Sequence, residues 1–544
     1  MGLASRRALP DLETLAQQGE QWQRAALRER QRLLMRLRAV VALDALSAFV
    51  QTYFTDEHGK RLELSAGQVF ACDRIEQGLT GGPGAAVEMA RGHGKSLLMK
   101  AAVLLSFLRS YYQPERWHSR YASLLTSGSL YKQFSRDLGN LVVGTGAPLV
   151  LDANERPLLQ QDFWLRPAYD YPDRKRKEPQ LWNQSDKLIY VGSWEHPCRL
   201  SVRGMTGGRG DVRGLTDGVQ RPDLLVVDDP MKESEAENDE ITEAIKTFIK
   251  RSYIPCGGPN ARQLFFGTPF NARDLITELC GNARSKPLTA EWPGFARCAL
   301  PAVHPTSKAL LCPQLWSPDA LEQRRAVIGT RAYYQEYLLD PQGGGLKHFE
   351  AEWLQRWTLP APTDRKRLKR VLYCDPSLGR STRSDESALV CLDLEVEAGI
   401  AWVIHADLQR RRPQKLVADH LTLWQWLQPD THGIEDEGFQ ELLLPVFQQE
   451  IAARALPPQA MPRLQNTEGV PKVARIKRLS PLAENGGLRW ADTGDHRALR
   501  RQAENWGGTP NEADDGLDAC EGALRLGATG LDKLRSRFGF LLKR

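Results

Sequence analysis

Two groups of residues in this 544-residue chain have types and spacings that could do chemistry. The first is Gly92-His93-Gly94-Lys95-Ser96 with Asp228-Asp229 downstream. Glycines let a backbone curl so that successive N–H groups point inward at an anion. A lysine after such a curl reaches β- and γ-phosphate oxygens, and the adjoining hydroxyl holds Mg²⁺. Lys95 and Ser96 would take those roles, with ATP as the nucleotide. Asp228 would hold the same Mg²⁺ through water, and Asp229 would orient or deprotonate the water that attacks the γ-phosphate. Thr268, in Gly267-Thr268-Pro269, stands where a γ-phosphate sensor could report hydrolysis. Gln68, upstream of the glycines, carries an amide that both donates and accepts, as an adenine edge requires. The pattern departs from GxxxxGK[ST] at one place, where Met89 replaces the first glycine.

The second group is acidic. Asp375 ends the apolar run Val371-Leu372-Tyr373-Cys374, and Asp385 lies in the loop that follows. Glu435 and Asp436 follow His432-Gly433-Ile434, and Asp514, Asp515 and Asp518 cluster near the C-terminus. Hard oxygen ligands at three separated points suit a pair of Mg²⁺ or Mn²⁺ ions, which activate water and stabilise the leaving oxygen in phosphodiester cleavage. Acids at strand ends and helix N-termini also occur for structural reasons.

Elements of definite type must position these groups. Residues 224–227 are four apolar residues ending in carboxylates, the pattern of a central parallel strand with its acids at the ligand-binding edge. Residues 121–127 and 263–267 read as further strands, and 96–108 and 130–142 as helices, giving a βαβ rhythm. Residues 387–394 read as the hairpin partner of the strand ending in Asp375, with 401–406 beyond. Residues 201–218, rich in Gly and Arg, read as a mobile loop able to bring Arg203, Arg209 or Arg213 to a phosphate. Gly343-Gly344-Gly345 marks a linker.

Basic residues recur. Arg24 to Arg38 make the first 55 residues a basic helical region, and Arg174 to Lys177 are four adjacent cations. Lys472, Arg475, Lys477 and Arg478 form a stretch that follows a phosphate backbone or is simply exposed, and 531–544 is a basic tail. The net charge of +6 is compatible with a polyanion touched over part of the surface. Nine scattered cysteines without a CxxC pair argue for free thiols and against structural zinc. No apolar run is long enough to span a membrane, so no membrane partner is expected, and an intracellular location is.

Taken in order, ARGHGKS (90–96), LLVVDDP (224–230), FFGTPFN (265–271), YCDPSLG with SDESALV (373–390), GIEDEGFQ (433–440), RIKRLSPLAENGGLRW (475–490) and ADDGLDA (513–519) resemble the large subunit of the tailed-bacteriophage terminase, a DNA-packaging motor. The resemblance implies two α/β parts: a P-loop (ASCE-type) parallel-sheet ATPase domain over 56–345, then a ribonuclease H-like mixed-sheet nuclease domain over 366–530. Outside the resemblance, the chain itself reads as a helical N-terminal region over 1–55 and a basic tail over 531–544, with a linker over 346–365 between the two parts. The resemblance also implies ATP-driven translocation of double-stranded viral DNA into a procapsid and cutting of concatemeric DNA by a two-metal site. The implied partners are the DNA, the portal protein and the small terminase subunit. The motor would be a homo-oligomeric ring on the portal, with a monomer in isolation compatible, in the host cytoplasm and not in the mature virion. By motif, Arg91 resembles the phosphate-loop arginine and Phe266-Gly267-Thr268 the coupling motif. Asp375, Glu435 and Asp515 would be the nuclease ligands, with Asp514 and Asp518 competing for the third place. Asp229 stands where the family often has Glu, and any of Arg203, Arg209 and Arg213 could act in trans. Two other readings remain: a helicase-like DNA-dependent ATPase whose C-terminal module binds DNA without cutting it, and a scaffold in which both acid sets are remnants.

Overall fold

The computed structural model describes residues 27–528, apart from 57, 173–181, 211, 213–214, 217–219, 237, 271–273, 281–292, 341–346, 377–385, 437–439, 467–469, 493–495 and 509–511. Arg213, Asp385, the run Arg174 to Lys177, Gly343 to Gly345 and the tail therefore lie outside the described residues. The chain forms two compact units, one of Met1–Pro318 with Tyr334–Gln342, the other of Asp319–Tyr333 with Gly343–Arg544.

The first unit is built on an eight-stranded sheet. Its strands are β1 (Gly84–Met89), β2 (Tyr121–Ser127), β3 (Leu165–Pro167), β4 (Asp186–Val191), β5 (Pro197–Met205), β6 (Leu224–Asp228), β7 (Arg262–Gly267) and β8 (Ala296–Leu300), in the spatial order β3-β4-β5-β2-β6-β7-β1-β8. The six strands from β5 to β8 in that order are parallel, and β4 and β3 add an antiparallel edge. The apolar run of β6 is used on both faces, as a covered parallel strand requires. Leu224 and Val226 enter one core, and Leu225 and Val227 enter the other.

On the larger core pack α1 (Leu27–Asp44), α2 (Leu46–Tyr53), α3 (Ala66–Thr80), α4 (Lys95–Tyr112) and α5 (Leu130–Val143). The first two belong to this core and do not stand apart from it, because Phe49, Val50 and Tyr53 are fully buried. Two buried charge contacts fix them. Arg109 in α4, 1 % exposed, pairs with Glu76 and donates to the carbonyls of Leu43 and Asp44. Arg38 in α1 pairs with Asp162 at 2.6 Å, and the Tyr53 hydroxyl donates to the same carboxylate. The α4 helix runs one residue earlier and four later than 96–108, because its apolar face continues under the sheet.

The expected mobile loop at 201–218 is corrected in its first part. Residues 201–205 are the end of β5, held parallel to β2 by alternation of buried Leu200 and Val202, which outweighs Gly204.

The second unit has a seven-stranded mixed sheet. Its strands are β9 (Thr358–Leu359), β10 (Leu368–Asp375), β11 (Ser387–Glu395), β12 (Ile400–Gln409), β13 (Thr431–Glu435), β14 (Arg463–Gln465) and β15 (Leu488–Ala491), in the order β14-β13-β10-β11-β12-β15-β9. The β10–β11 and β11–β12 pairs are antiparallel hairpin neighbours, and every other pair is parallel. The expected linker at 346–365 is also corrected. It contains the helix Ala351–Arg356, and β9 pairs with β15, because Phe349 and Leu354 have an apolar core to enter.

Helix α6 (Lys472–Lys477) and helix α7 (Asp515–Ala528) carry charged residues into this unit. The approach of α7 to the sheet depends on glycine. A Cβ at Gly522 would fall 2.2 Å from the Tyr373 ring, and one at Gly527 2.2 Å from Leu394. Bare backbone at these two places lets the helix lie on β10 and β11 and sets its rotation. Among the described residues no helix is long and apolar enough to cross a membrane.

Candidate active sites

The first candidate site lies where β1, β6 and β7 end side by side, the edge at which open α/β sheets bind ligands. The loop from Ala90 to Gly94 links β1 to α4. Gly92 has φ +75° and Gly94 φ +92°, left-handed values that a glycine adopts without strain. Gly94 is the N-cap of α4, and its carbonyl accepts from the N–H groups of Leu97 and Leu98. Lys95 Nζ lies 2.5 Å from Asp229 Oδ1 and 3.3 Å from Thr268 Oγ1. Thr268 N donates to the same Asp229 oxygen at 3.1 Å, and Thr268 Oγ1 donates to Met89 O. Three expected residues thus meet at one point. Asp229 takes φ +39°, a left-handed conformation uncommon for a side chain other than glycine and tolerated best by Asn and Asp.

Asp228 ends β6 with Oδ1 buried and without a hydrogen-bond partner. Burial, then the neighbouring charge of Asp229, pushes its carboxyl up to about 7 against the pull of Lys95 and Lys100. An orphaned carboxylate oxygen of this kind, with the exposed Ser96 hydroxyl at the head of α4, is a hard-oxygen donor set of the type Mg²⁺ takes.

The loop is gripped from behind. His93 is fully buried and stacks on Trp316, the rings 5.6 Å apart and 11° from parallel, with Tyr337 edge-on. Trp316 Nε1 donates to Gly92 O, and a Cβ on Gly92 would sit 3.0 Å from the Trp316 ring. Arg91 is exposed and its Nη1 pairs with Glu336 at 2.9 Å, while its backbone N–H donates to Glu336 O. Nothing in the sequence singled out Trp316, Glu336 or Tyr337, which lie more than two hundred residues from the loop they hold.

Gln68 is placed differently from its expected role on adenine. It is buried as the fourth residue of a capping box, its Oε1 accepting from Ser65 N at 3.0 Å and its Nε2 donating to His93 O at 2.9 Å. The amide braces the glycine loop, because the α3 N-terminus needs a reciprocal cap and the loop carbonyl lies within reach. A cavity of about 500 Å³ opens beside it, lined by Leu64, Ser65, Gly67, Leu300, Leu310 and Leu311 among others. Of the candidate arginines, Arg203 is tied within β5 to Asp186 and to Ser185 O, and Arg209 is exposed in a tight turn with Thr206.

The second candidate site is in the other unit. β10 and β13 are parallel neighbours, so Asp375 and Glu435 leave the sheet at the same edge. The first turn of α7 brings Asp518 to them, and one oxygen from each of Asp375, Glu435 and Asp518 lies within 4.8 Å of the others. All three are buried, and Asp518 Oδ1 has no hydrogen-bond partner. Burial pushes the Asp375 carboxyl well above the usual range; Lys472 opposes this, and the charges of Asp518, Glu435 and Asp515 add to it. Burial pushes Asp518 up to about 7 against Arg475 and Lys472. Crowded carboxylates with an unpartnered oxygen fit a divalent cation with oxygen ligands.

Two expectations change here. The third member of the triad is Asp518 and not Asp515; Asp514 and Asp515 lie beside it, both buried, around Lys472. Lys472 and Arg475 are neither an exposed stretch nor a free phosphate track. Their i, i+3 spacing in α6 turns both toward the acids, where Arg475 pairs with Glu435 at 2.6 Å and Asp518 at 2.9 Å.

No protein-family model matches the chain, and no curated protein matches it. Among solved structures it is similar to the large terminase of bacteriophage HK97, at 15% identity and a TM-score of 0.34, covering 90% of this chain and 99% of that one. The chain is also similar to the human cytomegalovirus terminase nuclease domain, at 12% identity and a TM-score of 0.27 over 35% of this chain and 98% of that one. The P22 large terminase nuclease domain is similar at 13% identity and a TM-score of 0.24, over 36% of this chain and 91% of that one.

Proposed function

We propose that this chain is a terminase large subunit, with a P-loop ATPase in its first unit and a metal-dependent, ribonuclease H-like DNA endonuclease in its second. The observation that carries the nuclease half is the convergence of Asp375, Glu435 and Asp518 from two strand ends and one helix. The ordered motif set supports the motor half, together with the meeting of Lys95, Asp229 and Thr268 at adjoining strand ends.

In the ATPase the loop N–H groups and Lys95 bind the phosphates. A γ-phosphate competes with Asp229 for the Lys95 ammonium, which frees the Asp229 carboxylate to orient the attacking water and accept its proton. Thr268, bonded to that carboxylate and to Met89 O, is placed to report the change. Ser96 with Asp228 would hold Mg²⁺. In the nuclease, Asp375, Glu435 and Asp518 would hold Mg²⁺ or Mn²⁺, which supplies activated water and charge stabilisation at the scissile phosphate. Double-stranded DNA, the portal, the small subunit and a ring on the portal follow from this assignment.

Cleavage of supercoiled plasmid by purified protein with Mn²⁺ or Mg²⁺, wild type beside Asp375→Asn, tests it. Cutting that disappears in the variant supports the terminase reading. Equal cutting, or none from either, reduces the claim to a DNA-associated ATPase.

A further inference from the structure

The acid cluster of the second unit already contains a cation of the chain's own. Lys472 Nζ lies 2.9 Å from Asp514, 3.1 Å from Asp515, 3.3 Å from Asp375 and 3.8 Å from Asp518. Three of these contacts are short, matching the three donors of an ammonium. The carboxylates are buried, whereas the Lys472 side chain is 33% exposed and so sits at the solvent edge of the cluster. Arg475 is 4% exposed and forked between Glu435 and Asp518, so moving it would break two buried ion pairs at once. The two cations therefore differ in kind: Arg475 is fixed, and Lys472 is displaceable along a flexible stem. The ammonium lies among Asp375, Asp514 and Asp515, beside the Asp375–Glu435–Asp518 triad and sharing Asp375 with it. That is a second cation position, and Asp518 Oδ1 in the triad remains unpartnered while Lys472 is in place.

We propose that Lys472 is a resident counter-cation that competes with the second divalent ion of this site. The inference rests on the nuclease reading and adds its regulation. One divalent ion enters the triad with Lys472 in place, and a second enters only as the ammonium swings out to solvent. There the displaced ammonium faces the side from which a polyanion approaches, and a backbone phosphate is its natural new partner. Metal loading and substrate binding are thereby coupled with the same sign.

Mn²⁺ binding to the full purified chain without nucleotide, followed by the loss of the free-ion electron paramagnetic resonance signal, tests this beside Lys472→Met and Lys472→Arg. The second ion should bind Lys472→Met at least about tenfold more tightly than wild type, and Lys472→Arg should resemble wild type. Superimposable isotherms for wild type and Lys472→Met overturn the proposal while leaving the nuclease reading intact. Absence of any Mn²⁺ binding overturns both. A measurement on wild type alone guards against misfolding of the variants: acetylation of Lys472, read by mass spectrometry, should be faster in saturating Mn²⁺ than in EDTA. Equal labelling overturns the proposal.

Discussion

Lys95 and Asp229 form an ion pair of 2.5 Å, and both residues have their strongest expected partners elsewhere, in a phosphate and a water. The pair joins the glycine loop after β1 to the end of β6, with Thr268, the residue after β7, bonded to both. On the ATPase reading, nucleotide binding and water activation would be linked, because one cation cannot serve both anions fully. Lys95→Ala should abolish ATP turnover and leave Mn²⁺-dependent plasmid cutting intact. Asp229→Asn should keep nucleotide binding, read with a fluorescent ATP analogue, and lower turnover by about a hundredfold or more.

The brace made by Gln68 predicts an effect blind to the base. Gln68→Ala keeps the Ser65 cap and removes the reciprocal bond from Ser65 N and the bond to His93 O, so it should weaken ATP and GTP binding by the same factor. It should also cost about 1 kcal/mol of stability from the lost side-chain hydrogen bonds, measured by urea denaturation. A selective loss of ATP would instead return Gln68 to the adenine.

Choosing among the late acids is a matter of cleavage rates. Asp518→Asn should reduce metal-dependent cutting about a hundredfold or more, as loss of a triad ligand does, and Asp515→Asn about tenfold, since it touches only the second cation position, where Lys472 sits. Equal losses, or the reverse order, would show that the triad is assembled differently on DNA.

Asp228 gives a pH dependence with a definite sign. Its carboxyl is raised from 3.8 to about 7 by burial and by Asp229, so the folded chain holds a proton there that the unfolded chain releases. The stabilisation is fully present below the unfolded value and is lost as pH rises toward the folded one. In EDTA, the unfolding midpoint of wild type should fall relative to Asp228→Asn between about pH 4 and about pH 7, and level off above. Mg²⁺ with ATP should restore wild type and not the variant.

The packing of α7 can be tested at Gly522. A Cβ there meets the Tyr373 ring at 2.2 Å, so Gly522→Ala must shift the helix or the ring. Overpacking of this kind costs about 1–3 kcal/mol. The same shift moves Asp518, so Mn²⁺ affinity should fall together with stability, and a loss of stability alone would show that the helix phase is unaffected.

The sequence by itself determined the features written locally in the chain. Apolar runs ending in acids gave the central strands and their ligand-bearing ends at Asp228, Asp375 and Glu435. Paired glycines before Lys95 gave the loop, because left-handed backbone needs them. Tertiary structure decided what depends on phase and distance. Asp514, Asp515 and Asp518 are indistinguishable by type, and the one that joins Asp375 is set by how α7 rolls on the sheet, which Gly522 and Gly527 control from more than one turn away. Gln68 could read a base or brace a loop, and only the fold put His93 O within reach of its amide. Lys472 and Arg475 looked like surface charge, since a run of cations carries no mark of the carboxylates it faces. Pairings of that kind are made by folding, across separations at which the chain's local pattern holds no information.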